Sequence, residues 1–239
     1  MSIKNVKPNG LHHLAITTSS THAQIKFFVE VLGCELEALY WMHNHGDTRV
    51  FHSFLRLNET AWVSFVEYVG LSIAPIDGVT HAISSMHPSA VGTMHHLALN
   101  VDTLDELLAM RDRIRTHGVH VCGPLHHGFC SSIYFAGPEG LNLEISTTTM
   151  PLDPDIWIDL EVSELAGISS EQLARYISPA HYAGAHGRVK QPPVDDMTHP
   201  RLKLPEDQYR EIMGMDDEEL SRTMSECEPP LNNIKNRSH

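Results

Sequence analysis

The amino-acid sequence predicts an α+β fold made of two paired modules, each with one strand, one helix and about three further strands. The main observation is a repeat, because residues 10–18 read GLHHLAITT and residues 93–101 read TMHHLALNV. In both copies a helical pattern and then strand-like segments follow in the same order. Self-similarity of this kind indicates a repeated structural unit. We therefore expect modules at residues 10–70 and 93–149, joined by a linker at residues 71–92.

Each element of the first module follows from a local pattern. The segment LHHLAIT alternates in the manner of a half-buried strand. Thr21 and Gln24 have the spacing of a capping box, apolar residues then recur at helical intervals, and Gly33 stands where a helix-ending glycine belongs. Residues 49–57 and 61–69 surround a turn and are predicted to be paired strands.

The second module repeats these elements. Thr103 and Glu106 form a second capping-box spacing, and the helical pattern after them ends at Gly118. Residues 131–137 and 141–147 are the matching strands around a Pro-Glu-Gly turn. Aligning the turns of the two modules makes Phe54 equivalent to Tyr134, and Ser64 equivalent to Glu144.

Residues 150–239 show no further copy and are predicted to form a partly helical C-terminal extension. Helical patterns occur at residues 169–177 and 205–224, the second broken at Gly214. Aromatic and histidine residues stand among the acidic ones, so we expect a lid over the cavity mouth or a contact in a homo-oligomer. An acidic solvated tail without a functional role is the alternative.

The composition excludes several function classes. The 239 residues include 30 acidic and 17 basic ones without a basic cluster, which argues against a nucleic-acid partner. Apolar runs fall short of the roughly 18 residues that a membrane span needs, and the first ten residues lack the apolar stretch of a secretion signal. The four cysteines form no CxxC pair, so we expect reduced thiols and a cytoplasmic protein.

Histidine is unusually frequent, and its placement in the repeat is informative. The chain has 18 histidines, and each module begins with a His-His-Leu-Ala segment. Because side chains alternate between the two faces of a strand, His13 shares a face with Ala15, and His96 shares a face with Ala98. The leucine of each segment then faces the core. A pseudo-twofold arrangement of the modules would bring these two histidines together.

Glu144 is a candidate third ligand. It lies in the apolar run 141–145, where an unpaired carboxylate would be costly to bury. An arginine partner or an edge position facing water would also account for it. Two neutral imidazoles and one carboxylate that meet in a cavity form the donor set that suits iron(II), with positions left open for dioxygen and substrate.

The segments GLHHLAI, TMHHLAL and SIYFAGPEGLNLEI resemble the vicinal oxygen chelate superfamily (glyoxalase, bleomycin resistance protein and dioxygenase). Within it they are most similar to the type I extradiol ring-cleavage dioxygenases. The intervals of the ring-cleavage motif are met by His127, Tyr134, Pro138, Gly140 and Glu144. The resemblance covers about residues 10–148 and implies βαβββ modules that form a cupped mixed sheet around a metal site.

The resemblance also implies which residues carry the site. The metal ligands would be His13, His96 and Glu144, and the metal would be iron(II), with manganese(II) as the alternative.

Two catalytic residues are implied beside the metal. Tyr134 would lie next to the bound substrate, one hairpin away from the glutamate ligand. His127 would supply a further proton donor, with His126 and His12 as the alternatives for that role.

The implied function is an iron(II)-dependent dioxygenase that uses dioxygen to cleave the ring of a catechol- or hydroquinone-type aromatic. Catechol-cleaving relatives carry a His-His pair where this chain has Ala61 and Trp62, so the substrate group stays open. A glyoxalase-like isomerase or lyase is the alternative, but it generally uses four protein ligands, two from each module. Ser64 is a poor ligand there, and Glu67 has the wrong parity in a regular strand. A metal-free small-molecule-binding protein of the same fold is a third reading.

Overall fold

The computed structural model describes residues 5–42, 48–70 and 73–225. It contains eight strands and seven α-helices in the described residues. The strands are β1 (His13–Thr17), β2 (Glu35–Met42), β3 (Val50–Asn58), β4 (Ala61–Tyr68), β5 (Leu97–Asn100), β6 (Val121–His126), β7 (Cys130–Ala136) and β8 (Asn142–Thr148). The helices are α1 (Thr21–Lys26), α2 (Leu104–Thr116), α3 (Pro154–Trp157), α4 (Leu160–Leu165), α5 (Ser170–Ile177), α6 (Glu206–Gly214) and α7 (Asp217–Met224).

The two modules form two sheets with the same strand order. The first sheet runs β1-β4-β3-β2 and the second runs β5-β8-β7-β6. In both, the first strand pairs in parallel with the last strand of its module, and the last two strands are antiparallel. Phe54 lies directly opposite Ser64, and Tyr134 lies directly opposite Glu144. The predicted α+β fold of two βαβββ modules is confirmed, while the limits of the modules stay a prediction.

One hydrophobic core joins the modules. Its fully buried members come from both of them, namely Phe28, Leu55, Val63, Phe65, Leu107, Ile114, Ile133 and Leu143. Because side chains alternate along a strand, the residues between these core positions point to the opposite face of each sheet. We call that face the open face, and it carries the candidate site.

The start of α1 differs from the prediction. The side chain of Ser20, not that of Thr21, accepts a hydrogen bond from the N–H of Ala23, at 3.2 Å, so Ser20 is the N-cap and Thr21 is the first helical residue. The capping box predicted from Thr21 and Gln24 is therefore wrong. The helix continues directly into a π-helical turn at Phe27–Val31.

The capping box of α2 is confirmed. Thr103 accepts a hydrogen bond from the N–H of Glu106 at 3.2 Å, and the Glu106 carboxylate accepts one from the N–H of Thr103 at 3.0 Å. Both orphan donors at this helix start are thereby satisfied.

The turn between β7 and β8 connects the second module to the first. The carboxylate of Glu139 accepts hydrogen bonds from the hydroxyl of Thr18 (2.6 Å), the N–H of Ser19 (2.8 Å) and the side-chain amide of Gln24 (3.0 Å). We call this set the Glu139 clamp. Burial alone would raise the pKa of Glu139, but these hydrogen bonds outweigh it and lower the pKa.

The extension divides between two compact units. Among the described residues, one unit contains residues 10–41 and 48–179, and the other contains residues 5–9, Met42 and residues 180–225. Within the second unit, the N–H of Val6 donates to the carbonyl of Tyr182 at 2.7 Å. As expected, α6 ends at Gly214 before a further helix begins. In the described part of the chain, no helix is both long and apolar enough to cross a membrane.

Candidate metal centre

The two His-His pairs repeat in structure as well as in sequence. The Nδ1 atoms of His12 and His13 are 2.8 Å apart, and their rings cross at 78° with centroids 5.1 Å apart. For His95 and His96 the corresponding values are 2.8 Å, 79° and 5.1 Å. The local sequence therefore fixes the same geometry twice, at the entrance to the first strand of each module.

The second module brings two of the three predicted ligands together. Ala98 lies opposite Glu144 in the parallel pair of β5 and β8, so His96, two residues earlier, lies on the same open face. Its Nε2 atom is 3.0 Å from a carboxylate oxygen of Glu144. The group that faces Glu144 is therefore an imidazole and not the arginine of the alternative explanation.

The carboxylate of Glu144 is buried and ionised. Its side chain is only 7% exposed, and the hydroxyl of Ser146 donates to it at 2.6 Å, while Ser132 and Ser146 share a hydrogen bond of 2.5 Å. Burial alone would raise the pKa of Glu144. Hydrogen bonds from the neighbouring hydroxyls, Tyr134 among them, and the nearby His96 outweigh burial and lower that pKa. An ionised carboxylate with an oxygen facing an imidazole is suited to bind a hard or borderline cation.

Tyr134 and His127 also lie together at this place. The phenol oxygen of Tyr134 is 3.0 Å from Nε2 of His127. Burial, and then the negative charge of Glu144, raise the pKa of Tyr134, so the phenol keeps its proton at neutral pH.

His126 and His12, the alternatives to His127 as proton donor, contact other side chains. Nδ1 of His126 shares a hydrogen bond of 2.7 Å with the hydroxyl of Ser131, and the ring of His12 packs against Trp62. Of the three histidines left open by the sequence, only His127 is hydrogen-bonded to Tyr134.

His13 lies on the open face of the first sheet and is exposed there, with its ring 5.4 Å from that of Phe54. Within residues 5–42, 48–70 and 73–225, no three His, Cys, Asp or Glu side chains form a group that could hold a metal ion. His13 is therefore not grouped with His96 and Glu144. The donor chemistry of that pair, one imidazole and one ionised carboxylate, fits two of the three ligands of an iron(II) site.

The structure adds a histidine that the sequence analysis missed. His52 lies between the hydroxyl of Ser64, 2.6 Å from its Nε2, and the phenol of Tyr40, 3.1 Å from its Nδ1. Burial, and then the charge of His13, lower the pKa of His52. Its position two residues before Phe54, with the same strand parity, is the signal that could have found it.

The glyoxalase-like alternative needs a further metal ligand from the first module, and both candidates, Ser64 and Glu67, have other partners. The hydroxyl of Ser64 is engaged with His52. The carboxylate of Glu67 accepts a hydrogen bond of 2.7 Å from the N–H of Thr21, at the start of α1. Glu67 thus stabilises a helix N-terminus, where a negative charge is favourable.

Comparison with known proteins adds a family and one curated relative. Residues 10–145 match the model of the Glyoxalase/Bleomycin resistance protein/Dioxygenase superfamily. A biphenyl-2,3-diol 1,2-dioxygenase of Rhodococcus globerulus is 33% identical over 76 residues, which are 31% of this chain and 40% of that protein. The chain therefore matches less than half the length of this relative.

Two solved structures illustrate the structural neighbours. A glyoxylase/bleomycin resistance protein/dioxygenase domain from Frankia sp. EAN1pec is 15% identical, with a TM-score of 0.47 over 59% of this chain and 99% of that one. TnmS3, an antibiotic binding protein from Streptomyces sp. CB03234, is 19% identical, with a TM-score of 0.42 over 61% and 100%.

Proposed function

The chain belongs to the Glyoxalase/Bleomycin resistance protein/Dioxygenase superfamily, and from that membership we propose that it is an iron(II)-dependent dioxygenase. Its substrate would be a catechol- or hydroquinone-type aromatic whose ring it cleaves with dioxygen. The partial similarity to a biphenyl-2,3-diol 1,2-dioxygenase supports this choice within the family. We further propose that the protein is cytoplasmic, in keeping with the free thiols of Cys34, Cys122 and Cys130, and that it forms a homo-oligomer.

The observation that carries the proposal is the arrangement on the open face of the second module. There an ionised carboxylate, an imidazole and a protonated phenol meet within hydrogen-bond distance. Groups whose pKa is perturbed by burial and by specific partners concentrate at functional sites.

We propose that iron(II) is bound by His13, His96 and Glu144, with manganese(II) as the alternative metal. The repeat makes His13 the first-module counterpart of His96, because both precede the same Leu-Ala pair with the same ring geometry. When bound, iron(II) supplies the electron transfer and the open positions that ring cleavage by dioxygen needs.

The chain's own residues would bind and orient the substrate. Tyr134 holds a proton on its phenol oxygen, next to Glu144, and can donate it in a hydrogen bond to a phenolate oxygen of the substrate. His127, at 3.0 Å from the same oxygen, can exchange a proton with Tyr134. Such positioned proton-transfer groups typically accelerate a reaction by about 10²–10⁴-fold.

The test uses full-length protein that has been purified without oxygen and loaded with iron(II). We expect about one iron per chain and oxygen uptake with at least one member of a panel of catechols, hydroquinones and aminophenols. Replacing His13, His96 or Glu144 by alanine should lower the iron content sharply, because three ligands leave little redundancy.

Three outcomes would contradict parts of the proposal. Protein that binds no metal would belong with the metal-free binding proteins of this fold. Protein that binds a metal but consumes no oxygen with any diol would favour the isomerase or lyase alternative. Full iron content and activity in His13→Ala would show that His13 is not a ligand.

A further inference from the structure

A cavity of about 640 Å³ lies beside β6, the edge strand of the second sheet. It is bounded by the C-terminal end of α2 and the residues that follow it, and Tyr134 lines it as well. Its volume is within the range of roughly 300–1,000 Å³ that is usual for small-molecule sites. Tyr134 therefore belongs both to this cavity and to the cluster around Glu144.

The lining has a positive character that is unusual for this chain. It includes the guanidinium of Arg115 and the imidazole of His120, and it contains no acidic side chain. The chain as a whole has a formal net charge of −13. A cavity whose lining includes an arginine and no carboxylate, in a strongly acidic protein, attracts anions by its local field.

Arg115 is held in place without a carboxylate. One of its Nη atoms donates to the carbonyl of Val121 at 3.0 Å. Arg175 and Arg210 each contact a carboxylate, whereas no acidic side chain of the described residues forms an ion pair with Arg115. The remaining N–H groups of this guanidinium are thus available for a planar anion, which it can bind through two parallel hydrogen bonds.

We infer that the substrate is an aromatic diol that carries a carboxylate, with Arg115 as its main binding group and His120 beside it. This inference rests on the proposed function. The ring would occupy the cavity, its oxygens would face Tyr134, and its carboxylate would reach the opposite wall. Arg115 then determines specificity and takes no part in the chemical step.

The first experiment measures binding alone. Benzoate and benzamide, which share one ring and nearly one shape but differ in charge, are titrated calorimetrically into the full-length protein. We expect benzoate to bind about 10-fold to 100-fold more tightly, as for a charge-assisted hydrogen bond. Arg115→Gln should abolish the preference, and Arg115→Lys should restore part of it, which also guards against misfolding of the glutamine variant.

Arg111→Gln is the matched control, because Arg111 lies on the same helix but contacts Asp112 and does not line the cavity. It should keep the preference for benzoate. Equal binding of the two ligands, or an equal loss in both glutamine variants, would overturn the inference.

The second experiment compares hydroquinone with 2,5-dihydroxybenzoate on iron-loaded protein. Arg115→Gln should raise KM for the carboxylated diol about 10-fold to 100-fold, with kcat nearly unchanged and the uncharged diol unaffected. Oxygen uptake that is faster with the uncharged diol and unchanged in Arg115→Gln would overturn this inference but not the proposed function. Benzoate binding that depends on Arg115, without oxygen uptake on any diol, would support the anion site and contradict the proposed function.

Discussion

The two modules share a scaffold and differ in what their open faces carry. Strand order, parallel pairing and the geometry of the paired histidines are the same in both. At equivalent positions, however, the second module has Tyr134 opposite Glu144, and the first has Phe54 opposite Ser64. Where the second module has Ser132, two residues before Tyr134, the first has His52, which is hydrogen-bonded to Ser64.

The comparison teaches that a fold of this kind separates its scaffold from its chemistry. Core positions such as Leu143 and Ile145 alternate with open-face positions, so Glu144 can differ from its counterpart without disturbing the packing below it. The second module carries an ionised carboxylate there, to which we assign a metal ion, whereas the first carries a histidine between two hydroxyls. Function therefore depends on a few open-face positions and not on the fold.

The largest effect, on iron content and turnover, is expected at Glu144, whose equivalent in the first module is Ser64. Glu144→Ala should lose iron by more than the 10–100-fold that loss of a ligand's hydrogen-bond partner typically costs, and with it all turnover. Ser64→Ala, the equivalent change in the first module, should retain the metal. Iron content and oxygen uptake are measured for both variants. Equal losses in the two would mean that Ser64 and Glu144 contribute equally to metal binding.

A smaller effect, on turnover without loss of iron, is expected when the phenol oxygen of Tyr134 is removed. Tyr134→Phe should keep its iron and lose about 10²–10⁴-fold in kcat, because one positioned proton-transfer group is removed. Tyr40→Phe, which alters the phenol beside His52 in the first module, should have a much smaller effect. Loss of iron in Tyr134→Phe would instead indicate a ligand or structural role, and near-normal turnover would make the phenol a bystander.

The extension contacts the second module at the loop that carries His127. The ring of Trp157 packs against that of Phe129 with centroids 5.1 Å apart, and Gly128, at a φ of 86°, leaves no room for a side chain beneath the indole. The first of the two compact units ends only at Pro179, so this part of the extension belongs with the modules.

Cutting the chain after Met150 should therefore leave iron binding partly intact while raising KM on the order of 10-fold or dissociating the oligomer. Trp157→Ala, which keeps the chain whole, should reproduce the change in KM if the extension acts through this loop. Oxygen uptake, iron content and light scattering are the measurements. A truncated protein of unchanged activity, association and stability would make the extension an ordinary solvated tail.

The smallest effect, on the free energy of unfolding, is expected at the Glu139 clamp, which connects the modules. Glu139→Gln should lower the free energy of unfolding by about 1 kcal/mol at neutral pH, because hydrogen bonds to a partly solvent-screened charge are lost. Glu171→Gln, which breaks an exposed ion pair on α5, is the control and should change it by less than about 0.5 kcal/mol.

The pH dependence of this effect follows from the pKa of Glu139, which is lower in the folded protein than in the unfolded chain. The stabilisation is complete above the ordinary glutamate pKa of about 4.3 and is lost as the pH falls through the lower folded value. Urea unfolding at pH 7 and near pH 3 should therefore show a larger difference between wild type and Glu139→Gln at the higher pH. An equal difference at both values would contradict the role of the Glu139 charge.

The sequence by itself determined the scaffold and the faces of its strands. The repeat predicted two modules of one strand, one helix and about three further strands, and the two-residue periodicity of a strand placed His96 on the face where the structure also has Glu144. The capping box at Thr103 was equally readable, because its donors and acceptors lie within three residues. These features depend on local geometry, which neighbouring residues fix almost alone.

Only the tertiary structure decided which side chains meet across long stretches of chain. It placed Glu67 at the start of α1, put His52 beside Ser64, and joined Glu139 to Ser19, 120 positions earlier. Strand parity limits a side chain to one face but does not choose its partner there. That choice depends on register and on packing between modules, where each buried polar group must find a hydrogen bond from whichever donor the fold brings near.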